Sequence, residues 1–192
     1  MARRDPLARY REMRRFDETP EPSGRRARKQ RTPVFVIQMH AARSLHYDFR
    51  LEVGGVLVSW AVPKGPSTDS REKRLAVHVE DHPVDYGDFE GRIPAGNYGA
   101  GAVIVWDAGP YRNLREEPIE EGLDDGHISI WLEGQKIRGG YSLTRTGVRA
   151  GKEQWLLIKR RDEHADARRN PVSTQRESVL SGRTVDDVRA GR

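Results

Sequence analysis

From Val34 onward, apolar residues recur at every second position in short runs separated by glycine and proline. That period places alternate side chains on opposite faces of an extended strand and is incompatible with a helix. The runs are PVFVIQMH, HYDFRLEV, VLVSWAV, RLAVHVE, AVIVWD, HISIWLE, KIRGGYSLTR and QWLLIKR, all before Arg161. Gly54-Gly55 joins the second run to the third as a tight hairpin turn, and PKGPSTDS, EGRIPAGNYGAG, DAGP and LEGQ separate others. Many short strands with one short helix predict a mainly β fold, either an antiparallel barrel or a sandwich.

The helix lies at the start. Asp5-Pro6 is a helix-initiating pair, and Leu7, Tyr10, Met13 and Phe16 follow at three-residue spacing. TPEPSG (19–24) ends it, and RRARKQRTP (25–33) reads as a basic linker. After Arg161 the alternation decays. The expected organisation is a helix and linker over 1–33, a β domain over 34–166, and a mobile tail over 167–192 with room for a short helix. The net charge of +5 suits a polyanionic partner, although arginines clustered near both ends also serve simply to solvate the termini. The chain has no cysteine, which excludes disulfides, zinc ribbons and a thiol nucleophile. No apolar stretch reaches membrane-spanning length and no signal-peptide core follows the basic N-terminus, so the expectation is no membrane partner and a cytoplasmic location.

The chemistry concentrates in HAARSLHYDFR (40–50). Alternation puts His46, Asp48, Arg50 and Glu52 on one strand face, with Tyr47, Phe49, Leu51 and Val53 on the other. A solvated strand face is the plain reading of such a row. Histidine is a poor choice for solubility alone, however. His46 and Asp48 at i and i+2 can aim a nitrogen and an oxygen at one cation, and His40 can fold back beside them. Two imidazoles and one carboxylate leave positions open for water and substrate, as a catalytic metal site requires, and the donors suit manganese, iron or zinc.

A second group lies in RLAVHVEDHPVDY (74–86). Alternation there predicts Arg74, Ala76, His78, Glu80 and His82 on one face and Leu75, Val77 and Val79 on an apolar one. Arg50, Lys64, Arg74, His82 and Tyr86 are of the types that neutralise phosphate oxygens or move a proton. GNYGAG lacks the lysine and hydroxyl residue of a nucleotide P-loop and reads as a turn. Trp60, Trp106, Trp131 and Trp155 are expected in the core.

Taken as ordered blocks, FVIQMHAARSLHYDFRLEVGGVLVSWAVPKGPS, RLAVHVEDHPVDYGDFEGRIPAGNYGAGAVIVWD, WLLIKRRDEHAD and YREMRRFDETPEPSG resemble the phosphoesterase domain of bacterial ligase D and its free-standing relatives, the DNA repair 3′-phosphoesterases. The resemblance implies a closed antiparallel β-barrel. It implies a manganese ion held by His40, His46 and Asp48, with other divalent transition metals compatible. It assigns phosphate binding and catalysis to Arg50, His82 and Tyr86, assistance to Lys64, Arg74 and Glu80, and substrate contacts to Arg14 and Glu21. The chain departs from the family's frequent Arg-Asp-Phe at Arg14-Arg15-Phe16. The activity implied is removal of a 3′-terminal ribonucleoside and then of the 3′-phosphate from DNA or RNA-tipped DNA primer–template ends, before non-homologous end joining. A ligase, a polymerase and an end-binding protein of that pathway are the implied partners, and a stand-alone enzyme is the implied form. Two other readings are compatible with spacing alone: a non-catalytic nucleic-acid-binding barrel, and a non-haem iron oxygenase whose third ligand is His78 or His82.

Overall fold

A computed structural model describes residues 5–24 and 32–192, so most of the expected basic linker lies outside the described residues. Nine strands form one antiparallel sheet: β1 (Val34–Ala41), β2 (Leu45–Val53), β3 (Val56–Val62), β4 (Lys73–Pro83), β5 (Gly91–Ile93), β6 (Gly101–Asn113), β7 (His127–Glu133), β8 (Arg138–Arg149) and β9 (Lys152–Lys159). Their order is β1-β2-β3-β4-β9-β8-β7-β6-β5, and β1 also pairs with β6, so eight strands close as a ring with β5 appended to β6. Closure removes the unpaired edges that an open sheet would expose. The eight expected runs all appear as strands; the three-residue β5 carries no alternation that a reading by period detects.

The ring is filled from inside. Phe35, Ile37, Phe49, Leu51, Trp60, Trp106, Ile130, Tyr141, Leu143, Trp155 and Leu157 belong to one buried cluster to which every ring strand contributes. Three of the four tryptophans are thus core, whereas Trp131 is only half-buried, between Arg112 and His164. The β2–β3 hairpin turns through Gly54 and Gly55 at φ 59° and 85°, the left-handed pair that matches strand twist.

A second, smaller cluster lies on the outer face: Leu7, Tyr10, Leu57, Tyr86, Phe89, Ile93 and Val103. It is built by helix α1 (Ala8–Glu12) and a 3₁₀ turn at Val84–Asp88 packing over β3 and β4, with β5 and β6 adding Ile93 and Val103. The outer face of β2 is therefore roofed. Asp48 and Arg50 are buried, at 7% and 2% exposure, so the solvated-face reading does not hold.

Strand β4 departs from simple alternation. Its register with β3 shifts, Ser59 pairing with Val79 but Leu57 with His82, so β4 gains one residue there. Such a bulge reverses the parity of everything beyond it. Before it, Ala76 is core and His78 pairs with Trp60 and packs at a tilt against its ring, while Leu75 is exposed at 43%. Beyond it, Glu80 and His82 turn to the roofed outer face and are buried. The expected single polar face of β4 is corrected accordingly.

The C-terminal residues do not hang free as a tail. Helices α3 (Pro171–Thr174) and α4 (Val185–Arg189) follow α2 (Ile119–Asp125) in the chain, and Val185 and Val188 join the ring core. Trp106 Nε1 donates to Gln175 O at 2.6 Å, and Lys136 Nζ donates to the Gln175 and Glu177 carbonyls. Thr184 and Asp187 form a reciprocal capping box that starts α4.

Candidate active site

The polar outer face of β1 and β2 opens into a cavity of about 260 Å³ bounded by His40, His46, Asp48, Arg50, His82 and Tyr86, together with Arg14, Glu80, Tyr98 and Lys152. Antiparallel pairing sets His40 directly across from His46, and Gln38 across from Asp48. One donor atom each from His40, His46 and Asp48 lies within 4.8 Å of the others.

The two imidazoles are oriented by backbone. His40 Nε2 is 2.7 Å from Gly99 O, and a carbonyl only accepts, so Nε2 carries the hydrogen and Nδ1 presents its lone pair 3.5 Å from Asp48 Oδ2. His46 Nδ1 likewise donates to Ser44 O at 3.1 Å, leaving Nε2 3.5 Å from Asp48 Oδ1. Carbonyl partners behind ligating histidines are the usual outer support of a metal centre. Three electron-rich atoms converging in a buried space repel one another unless a cation sits among them. The donor chemistry therefore fits a divalent transition metal. Burial works against protonating His46, but the Asp48 carboxylate outweighs it and raises the pKa, which is the proton's version of the same attraction. Gly99 sits at φ 72°, a conformation that frees its carbonyl to meet His40. The GNYGAG turn thus acts in the site, although it binds no nucleotide in the P-loop manner.

Arg50 is fixed on three sides. Its Nε donates to Gln38 Oε1 at 2.7 Å, Nη1 to Ser59 Oγ at 2.9 Å and Nη2 to Asp48 Oδ2 at 3.2 Å. Burial would raise the Asp48 pKa, but the Arg50 charge, with the His40 and His46 rings facing the carboxylate, holds it well below the usual range. Asp48 is ionised at neutral pH. Gln38 in turn donates to Tyr86 O and Phe89 O, tying the 3₁₀ turn to the ring.

The N-terminal segment closes the other side. Arg14 Nε donates to Glu21 at 2.9 Å, its terminal nitrogens approach Glu80 at 3.3 Å, and Nη2 lies 3.1 Å from His82 Nε2. Arginine only donates, so His82 Nε2 accepts and its Nδ1–H points to Glu80 O at 2.9 Å. Burial, then the charges of Arg50 and Arg14, push the His82 pKa well below its ordinary value, so the imidazole is neutral. Tyr86 donates to Glu21 Oε1 at 3.1 Å, and burial followed by the Glu21 charge raises its pKa well above 10.

Of the residues singled out from sequence, His40, His46, Asp48, Arg50, His82, Tyr86, Glu80 and Arg14 surround one cavity, and Glu21 anchors Arg14 and Tyr86 behind it. Lys64 and Arg74 are not brought there. They border a separate surface depression with Lys73 and Leu75, and Arg74 pairs with Glu72 at 2.6 Å. His78 stands against Trp60 and Glu153, away from the donor set, and His82 is engaged by Arg14, so neither completes the oxygenase triad. Sequence reading missed Gln38, Ser59, Gly99, Tyr98 and Lys152. Gln38 alone carried a signal, as a lone amide in an apolar run.

Asp81, next to the bulge, carries a testable cost. Burial, then the Glu80 charge, pushes its pKa from 3.8 to about 6. A carboxyl raised in the folded state binds its proton more tightly there than in the unfolded chain. Stability therefore falls as pH rises from 3.8 to about 6, and the deficit is constant above that. Asp81→Asn is expected to stabilise the protein at pH 8 by about 1–2 kcal/mol, after discounting for partial exposure, and by nothing below about pH 4. Thermal melts across that range read it directly; an equal gain at pH 4 and pH 8 would show that Asp81 ionisation is not strained.

A family profile described as the DNA Ligase D 3′-phosphoesterase domain matches residues 38–145. The chain is 52% identical over 184 residues to the multifunctional non-homologous end joining protein LigD of Pseudomonas aeruginosa, covering 94% of the chain and 22% of that protein. It is 46% identical over 164 residues to the protein of the same name in Mycolicibacterium smegmatis, covering 83% and 21%, and 44% identical over 165 residues to the LigD non-homologous end joining DNA repair protein of Mycobacterium tuberculosis, covering 83% and 20%. The chain thus spans about one fifth of the length of these relatives. An eight-stranded ring with a His/His/Asp donor set that could hold a metal ion, beside buried arginines, defines the class of β protein. Within that class, the chain belongs to the DNA ligase D 3′-phosphoesterase domain family. Among the described residues no helix is long and apolar enough to cross a membrane.

Proposed function

We propose that the chain is a metal-dependent phosphoesterase that trims the 3′ ends of nucleic acid strands during non-homologous end joining. The observation that carries the reading is the convergence, in one cavity, of three cation donors with a buried guanidinium that retains unused N–H groups. His40, His46 and Asp48 would hold manganese or another divalent transition metal, which when bound supplies Lewis-acid polarisation of a phosphate oxygen. Arg50 uses three of its five N–H groups on the protein and offers the other two to phosphate oxygens. Neutral His82 can take a proton at Nε2 once that lone pair is released from the Arg14 Nη2–H. Arg14, held by Glu21 and Glu80, orients that imidazole and adds positive charge beside it. Tyr86 keeps its proton, which it donates to Glu21, so its oxygen is left as an acceptor. The substrate would be a primer–template with a 3′-terminal ribonucleotide or 3′-phosphate, and the product a 3′-hydroxyl ready for joining. The pathway's ligase, polymerase and end-binding protein are the partners this reading names. Lys64 and Arg74, outside the cavity, would act on the substrate strand rather than on the reacting phosphate.

Incubation of a labelled primer–template carrying one 3′-ribonucleotide, with and without manganese, tests the reading. Conversion to a 3′-phosphate and then a 3′-hydroxyl is expected, and His46→Ala should abolish both. Manganese at about 100 times its Kd should also stabilise the native protein by about 2.7 kcal/mol, raising the melting temperature by roughly 5–10 °C, but not that of His46→Ala. Salt-sensitive binding without hydrolysis or metal stabilisation would replace the enzyme with a binding module.

A further inference from the structure

A trough of about 360 Å³ leaves the cavity and shares Val79, Glu80, Tyr98 and Lys152 with it. Helix α1 bounds it through Arg9 and Met13, β4 through His78–Asp81, and the start of β9 through Gly151–Glu153. We propose that this trough is the path of the nucleic acid strand on the 5′ side of the reacting end, unpaired from its template over its last nucleotides, with Tyr98 stacking a base and Lys152 and Arg9 contacting successive phosphates. The proposal takes its direction, away from a 3′ end, from the phosphoesterase reading above.

Three observations carry it. Lys152 is exposed and, among the described residues, its ammonium has no ion pair, whereas the other cavity cations, Arg14 and Arg50, are committed to carboxylates. An unpaired cation at the mouth of the cavity is free to meet a phosphate without breaking an ion pair. Tyr98 is a large aromatic left 43% exposed where cavity and trough meet, with the Arg14 guanidinium 5.4 Å from its ring centre. A fixed, half-exposed ring beside a cation is a stacking platform for a base of any sequence. Two of the trough's acidic groups are already neutralised, Glu80 by Arg14 and Glu153 by Arg145 at 3.0 Å. Arg9, also exposed, continues the positive line from Lys152, and Asp81 is the remaining carboxyl. Alternating cations and an aromatic ring along a groove is the arrangement that tracks a single strand without reading its sequence.

The test is fluorescence anisotropy with a labelled ten-nucleotide DNA strand ending in a 3′-phosphate, in chelating buffer so that no hydrolysis intervenes, with thymidine 3′-monophosphate as competitor. Lys152→Ala should weaken strand binding about fivefold at 0.1 M salt and lower the log–log salt slope by about 0.7. Tyr98→Ala should weaken it about tenfold, with Tyr98→Phe restoring affinity. Both losses should be present on the ten-nucleotide strand and absent on the mononucleotide. Arg168→Ala, which removes one positive charge from the C-terminal segment, controls for net charge. Equal slopes for Lys152→Ala and Arg168→Ala, or losses that do not depend on strand length, overturn the strand path. Hydrolysis of the same strand with manganese is measured separately. Wild-type protein that binds with this length dependence but never hydrolyses would retire the enzyme reading and leave the strand path standing; hydrolysis with unchanged binding in the variants would do the reverse.

Discussion

Arg50→Lys is expected to lower kcat/KM on a 3′-phosphate end by about a thousandfold, equivalent to about 4 kcal/mol, although the charge is conserved. The reason is geometric. The guanidinium meets Gln38, Ser59 and Asp48 in one plane and still has two N–H groups to offer the cavity. An ammonium at the end of a flexible stem can satisfy Asp48 or a phosphate, but it cannot hold Gln38 and Ser59 at the same time. Gln38 and Ser59 would be left buried with unmet acceptors, so the variant should also lose about 2–4 kcal/mol of stability. Gln38 additionally holds the carbonyls of Tyr86 and Phe89, and the defect should therefore spread to the 3₁₀ turn that positions Tyr86. Steady-state kinetics beside urea unfolding separates the two losses. An activity within tenfold of wild type would remove Arg50 from phosphate binding and leave it a purely structural cation.

The ring was legible because strand alternation is a local property, and five of its eight strands keep it without interruption, β4, β6 and β8 each carrying one extra residue. What escaped depended on contacts distant in sequence. The bulge between Val79 and His82 arises from pairing with Leu57 and Ser59, and nothing within RLAVHVEDHP announces it. Its consequence is large, because the extra residue delivers Glu80 and His82 to the cavity while His78 stays beside Trp60. The His/His/Asp cluster that could hold a metal was readable since His46 and Asp48 lie on one uninterrupted strand, with His40 across a single tight connection. Their support was not readable: the Gly99 carbonyl comes from a loop 59 residues away. The C-terminal segment misled by composition. Its polar residues suggested a mobile tail, yet Val185 and Val188, three apart behind a Thr184–Asp187 capping box, are an anchoring pattern visible in the sequence itself. The Arg15 side chain is 74% exposed and pairs with Glu18, so it stands outside the Arg14 network.

That network bears on the second large effect. His82→Ala should lower kcat by about a hundred- to a thousandfold while changing the affinity for a 3′-phosphate strand by no more than a few-fold. The imidazole is buried, sits between Tyr10 and Tyr86 with ring centroids 5.1 and 4.7 Å away, and is pinned through both nitrogens, so it contributes a fixed acceptor rather than binding energy. Its protonation has a defined sign. Burial, Arg50 and Arg14 hold the pKa well below 6.5, so the neutral form dominates at pH 7. If that form takes the proton, the rate is level from about pH 6.5 to 8 and declines only on the acid side, as His82 becomes protonated. His82→Gln preserves an acceptor for Arg14 but cannot exchange a proton, and it should flatten that acid limb while remaining slow. A His82→Gln enzyme with wild-type rate would reduce His82 to a positioning group for Arg14. A rate that instead rises steadily toward low pH would show that the rare protonated imidazole, acting as a proton donor, is the working form.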